Sequence, residues 1–227
     1  CGSGPEPGTS LHKALEEAGL TVRWITEGRS AVEEILSDPP DLVLLDSDLS
    51  GRGGYEVCRQ IRPGFGGPVI ILGREADDAS QLLALDRGAD DYLPHSVSWA
   101  VLTAKIRVLL NRRREWSGKT RNRKMQSGPL SMDASRREVL LAGRPMELTS
   151  IQFEILWYLM ERAGRVVSRE ELYEALHKGE YNWYDRSVDV YVSRIRRVLG
   201  DDPDNPTFLK TVRGRGYLFV SNQDPNP

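Results

Sequence analysis

The stretch DLVLLD, residues 41–46, runs four apolar residues straight into a carboxylate. A strand covered on both faces reads as such an unbroken run, so Asp46 is delivered to the edge of a sheet. There it can accept a phosphoryl group, ligate a metal, or remain as the relic of either role. A second chemical set lies at 186–199, RSVDVYVSRIRRVL. At 100° per residue Val188, Val192, Ile195 and Leu199 share one helical face, and Arg186, Val190, Ser193, Arg194 and Arg197 lie opposite. A helix with a buried stripe and an Arg-rich outer face fits a major groove. Arginine gives two hydrogen bonds to guanine, and arginine and serine bind phosphate. Just downstream, TFLKTVRGRGYLFV (207–220) is two strands around a Gly-Arg-Gly turn, a β-hairpin whose tip carries Arg213 and Arg215.

The elements that must hold these residues are legible in the pattern. LHKALEEA (11–18), SAVEEILSD (30–38, capped by Ser30), GYEVCRQIR (54–62), DASQLLALDRGA (78–89) and WAVLTAKIRVLLNRR (99–113) have helical spacing. LTVRWIT (20–26), DLVLLD (41–46), PVIILG (68–73) and DYLP (91–94) read as strands. Strands alternating with helices predict a parallel sheet with helices on both faces. The opening CGSGPEPGTS reads as loop where such a fold should open on a strand. Either that strand is missing or the sheet has four strands. The chain starts at Cys1, not Met, and the expectation is that residues precede it.

Residues 111–128 are basic, polar and nearly free of aliphatics, which predicts a linker. After 129 come short strands with turns at DAS and AGRP, then the helix SIQFEILWYLMERAG closed by Gly164. SREELYEALH (168–177) carries a capping box from Ser168 to Glu171. Three helices followed by a hairpin predict a winged helix-turn-helix. The expected division is 1–113, a basic linker at 114–126, and 127–222.

Composition narrows the function. The chain has 227 residues and net charge −2. Its first 110 residues carry −7 and the remainder +5, and a basic half suggests a polyanionic partner. No apolar run approaches the roughly 18 residues of a membrane helix, and no signal peptide is visible. The two cysteines, Cys1 and Cys58, have no metal-ligand spacing and read as reduced thiols of a cytoplasmic protein. Walker loop, HExxH and nucleophile elbow are all absent, so no enzyme is expected.

From about residue 11 to 220 the chain resembles the OmpR/PhoB family of two-component response regulators. ELTSIQFEILWYLMERAGRVVSREELYEALH, RSVDVYVSRIRRVLGDDPDNP and LKTVRGRGYLFV look like its DNA-binding domain, while PDLVLLDSDLSGRGGYEVCRQIR and GADDYL look like its receiver. The resemblance implies a flavodoxin-like α/β receiver followed by a winged helix-turn-helix that binds double-stranded DNA as a homodimer. It adds Ser187 and Thr211 to the DNA-facing set. It also implies that KGEYNWYD (178–185), with Tyr181, Trp183 and Tyr184, faces RNA polymerase.

In that family an acidic pair and the acceptor Asp hold Mg²⁺, and a Thr or Ser and a Lys bind the phosphoryl oxygens. Here Asp46 stands at the acceptor position. Gly2 and Ser3 stand at the acidic pair, Gly73 at the hydroxyl position and His95 at the lysine. The expectation is a degenerate receiver that needs neither cofactor nor sensor kinase. It would dimerise through a face including Asp90, Asp91, Tyr92 and Lys105, with Gln81 and Val101 where a charged pair is usual. The alternative is a conventional phosphorylation switch at Asp46 that uses Mg²⁺, with Asp48, Glu6 and His95 as substitutes.

Overall fold

The computed structural model of the chain describes residues 10–119, 123–177 and 187–220. It divides into two compact units, Cys1–Arg113 and Arg114–Pro227. In the first, α1 (Ser10–Glu17), α2 (Gly28–Ser37), β1 (Val43–Asp46), α3 (Gly54–Ile61), β2 (Val69–Gly73), α4 (Asp78–Arg87), β3 (Asp91–Pro94) and α5 (Trp99–Lys119) follow one another. β1, β2 and β3 form a parallel sheet in that order, with Val43 opposite Val69 and Ile70 opposite Asp91.

Every residue of β2 is buried, because a central parallel strand is covered on both faces. Its side chains alternate between two apolar layers. Ile71 joins Ile35, Leu45, Val57, Ile61 and Phe65. Ile70 and Leu72 join Leu15, Leu93, Leu102 and Ile106.

Three expectations for this unit need correction. Residues 20–26 are not a strand. Just after them one isolated parallel bridge, outside the sheet, joins Glu27 to Ser50, and the Ser50 hydroxyl donates to Thr26 O at 2.6 Å. Leu20 and Val22 still pack against the Leu15 layer. The alternation therefore serves burial, while a strand also needs a neighbouring edge to pair with. The described part of the sheet has three strands, not four. Helix α2 starts at Gly28 with Glu27 as its cap residue, ahead of Ser30; the Ser30 hydroxyl donates to the Glu27 carboxylate instead. The α4 boundaries follow ordinary signals. The Asp77 carboxylate accepts the Ser80 N–H at 2.8 Å, and Gly88 closes the helix at φ 106°.

The second unit opens with a four-stranded antiparallel sheet: β4 (Lys124–Ser127), β5 (Leu130–Asp133), β6 (Glu138–Leu141) and β7 (Arg144–Pro145). α6 (Ser150–Met160), β8 (Val166–Val167), α7 (Arg169–His177), α8 (Ser187–Leu199), β9 (Leu209–Val212) and β10 (Gly216–Phe219) follow. The expected linker is thus largely structured, since α5 runs to Lys119 and β4 begins at Lys124.

Helix α6 is buried on every side, all but Ser150 and Tyr158, as a central helix between layers must be. Thr149 and Gln152 form a reciprocal capping box at its start. The second sheet has the order β8-β10-β9. Gly216 sits where β10 crosses β8; at φ 141° a Cβ there would lie 2.0 Å from Val167 O, so only glycine fits.

Candidate phosphoacceptor pocket and nucleic-acid interface

Asp46 ends β1 with its carboxylate at the carboxyl edge of the sheet. The Asp48 N–H donates to Asp46 Oδ1 at 2.9 Å. His95, just past β3, places Nε2 3.5 Å from the same oxygen. Both follow from topology: parallel β1, β2 and β3 bring their carboxyl ends, and the loops after them, to one side. Asp48, the nearest substitute acid, is paired with Arg74 at 2.5 Å. Among the described residues no three His, Cys, Asp or Glu side chains are grouped to hold a metal. Gly2, Ser3 and Glu6 lie outside the described residues.

At the other pocket position, the missing side chain of Gly73 is filled by a ring. A Cβ on Gly73 would lie 2.1 Å from the Tyr92 hydroxyl oxygen. Tyr92 is 6% exposed, and its hydroxyl donates to Glu75 O at 2.7 Å. Tyr55, at the start of α3, stands beside it; burial first, and then the neighbouring Tyr92, push the Tyr55 phenol up to about 12.

The residues expected at a dimer face do not all reach it. Asp90 is 1% exposed. It accepts from Arg62 Nη2 at 2.6 Å and from the Val69 N–H at 2.8 Å, while the same guanidinium donates to Gly88 O and Gly67 O at 2.6 Å. Asp90 is thus an internal counter-ion, and Tyr92 is internal too. Neither offers its side chain to a partner. Asp91 and Lys105 pair within the chain at 2.6 Å. Leu82 and Leu83 on α4 and Trp99 and Val101 on α5 are exposed apolar side chains.

In the second unit, Val188, Val192, Ile195 and Leu199 of α8 are buried as the spacing predicts. Ser193 and Arg197 are exposed; Val190 and Arg194 are half-buried. Ser187 needs correction: at 4% exposure it packs inward at the helix start and has no outer face. Arg213 and Arg215 are exposed at the hairpin tip. The Thr211 hydroxyl is held from inside, accepting from Arg196 Nη2 at 2.7 Å. Arg186, Tyr181, Trp183 and Tyr184 lie outside the described residues.

Sequence reasoning missed Arg196, which is 9% exposed and donates to Leu209 O. Its signal was available: it stands four residues after Val192 and eight after Val188, inside the buried stripe. Asp201 was missed as well. Its carboxylate accepts the N–H groups of Thr207, Phe208 and Leu209 at 2.6–3.3 Å, closing the loop from α8 to β9.

A parallel-sheet unit with an acidic strand end, followed by a three-helix unit with a basic wing, is the architecture of a DNA-binding response regulator. Comparison with known proteins agrees. Residues 7–107 match the response regulator receiver domain, and residues 143–219 match the family described as transcriptional regulatory protein, C terminal. The chain is 36% identical over 224 residues to the transcriptional regulatory protein RstA of Escherichia coli K12, covering 95% of this chain and 93% of that one. It is 36% identical over 216 residues to CpxR of the same strain, covering 93% and 92%. A solved RitR mutant matches over 93% of both chains, with 25% identity and a TM-score of 0.75. The chain belongs to the OmpR/PhoB family of response regulators. No helix among the described residues is long and apolar enough to cross a membrane.

Proposed function

We propose that this transcriptional regulator binds double-stranded DNA as a homodimer without needing phosphorylation of Asp46. The observation that carries the reading is the filled pocket: Tyr92 occupies the place of a side chain at Gly73, and His95 stands against Asp46 where a lysine is usual. The exposed leucines of α4 with Trp99 and Val101 supply apolar area for association between receivers. The outer face of α8 contacts base edges and phosphates, and the Arg213 and Arg215 tip contacts the flanking backbone. RNA polymerase is the further partner, through 178–185.

Two measurements test this. The first is incubation with Mg²⁺ and a small phosphodonor, followed by intact mass, with Asp46→Ala as control. The second is sedimentation and operator binding of the untreated chain at about tens of micromolar, where even weak dimers form. No phosphate gain, with a dimer that binds DNA, is expected. Phosphate on Asp46 that raises DNA affinity would establish instead a conventional switch, a reading favoured by the partial exposure of the Asp46 carboxylate (17%). A monomer would remove the dimer.

A further inference from the structure

Four side chains of the second unit meet behind the outer face of α8. The Tyr217 hydroxyl donates to Asp189 Oδ1 at 2.5 Å. Arg169 Nε donates to the same oxygen at 2.7 Å. The Arg169 and Arg196 guanidinium carbons lie 5.0 and 5.8 Å from the Tyr217 ring centroid. Arg196 in turn donates to Leu209 O at 2.8 Å and to the Thr211 hydroxyl at 2.7 Å.

These contacts join separate elements. Asp189 is in the first turn of α8, and Arg196 lies about two turns further on. Tyr217 is on β10, Leu209 and Thr211 are on β9, and Arg169 is the first residue of α7. Two points along one helix are therefore tied to both strands of the hairpin, and α7 is tied to the first of them.

The placement of Asp189 needs an explanation. A half-exposed carboxylate (41%) on a helix that faces a polyanion repels it. The repulsion is answered by the Arg169 cation, and the carboxylate becomes the acceptor that fixes the hairpin. Tyr217 keeps its proton for this bond, because burial first, and then the hydrogen bond to Asp189 and its charge, push its phenol up.

We infer that Asp189 and Tyr217 are positioning residues for DNA recognition: they fix the tip at Arg213 and Arg215 relative to the outer face of α8. Helix and tip contacts then form together, without ordering the hairpin at the moment of binding. The inference rests on the proposed reading of this unit as the one that contacts DNA.

A double-mutant cycle on the full chain tests it, with an operator selected from random duplexes. In the parent chain Arg213→Ala should weaken binding roughly tenfold, the effect of one lost charged contact. In a Tyr217→Phe background the same change should cost no more than about threefold, since an unfixed tip no longer contributes fully. Asp189→Asn keeps an oxygen for the phenol and should preserve most of the coupling; Asp189→Ala should abolish it. Thermal melting run alongside identifies any variant that does not fold, and the Asp189 variants complete the cycle if Tyr217→Phe is one. Independent, multiplying losses in these backgrounds would overturn the inference while leaving DNA binding intact. A parent chain that selects no duplex would overturn the underlying DNA reading.

Discussion

The Tyr92 hydroxyl oxygen lies 2.1 Å from where a Cβ on residue 73 would stand, and two of its ring carbons lie 2.6 Å away. An inward ring at 92 therefore requires glycine at 73.

Restoring a hydroxyl residue at 73 should not rebuild the pocket. Gly73→Thr is expected to expel the Tyr92 ring or strain the β2–β3 contact, costing about 1–3 kcal/mol as overpacking does. Chemical denaturation of the receiver gives the number. Adding Tyr92→Ala should recover part of the loss, and strictly additive losses would show that the two residues do not compete for the same space.

Arg62→Ala should be among the most damaging single changes in the receiver. It leaves Asp90, 1% exposed, without its guanidinium, and breaking a buried pair costs about 3–5 kcal/mol. It also strips Gly88 O and Gly67 O of their donor. A shift of the unfolding midpoint within the range of surface substitutions would refute the assignment of Asp90 as an internal counter-ion.

The acid response of the second unit should depend on Asp133. The Ser135 hydroxyl, with the Arg136 and Ser135 N–H groups and Lys124, holds its carboxyl down at about 2, against an ordinary 3.8. The folded chain therefore takes up this proton less readily than the unfolded one. The resulting stabilisation is complete above about pH 4 and is lost as pH falls through about 2. Asp133→Asn should melt lower than the parent at pH 7 and converge with it near pH 2, as followed by circular dichroism. A difference independent of pH would assign Asp133 a purely steric role.

Arg194→Ala should weaken operator binding by about 1–3 kcal/mol and relax base preference at one position if that side chain reads a base. Arg197→Ala should weaken all duplexes alike and lower the salt slope by about one if it binds phosphate. Binding isotherms at several salt concentrations separate the two roles.

Periodicity made burial legible. The α8 stripe from Val188 to Leu199 and the unbroken run in β2 are both where the pattern puts them, because apolar spacing directly records which side faces the core. Pairing was not legible. LTVRWIT alternates like a strand yet forms no ladder, since a ladder depends on a neighbouring edge that local residues do not encode. Asp90 reads as a surface charge until the structure brings Arg62 to it, 28 residues away; spacing puts Arg196 in the buried stripe, but not its acceptor, Leu209 O, 13 residues on. Tyr92 could be placed opposite its family position by motif, but its packing against Gly73 depends on two strands meeting in register, Gly73 beside Pro94.

The Asp201 carboxylate has a consequence for engineering. By gathering the N–H groups of Thr207, Phe208 and Leu209, it anchors β9 independently of the residues between. Asp202, Pro203, Asp204 and Asn205 are exposed. That tip should accept a tag or a longer sequence with the hairpin undisturbed, provided Asp201 and Thr207 stay in place.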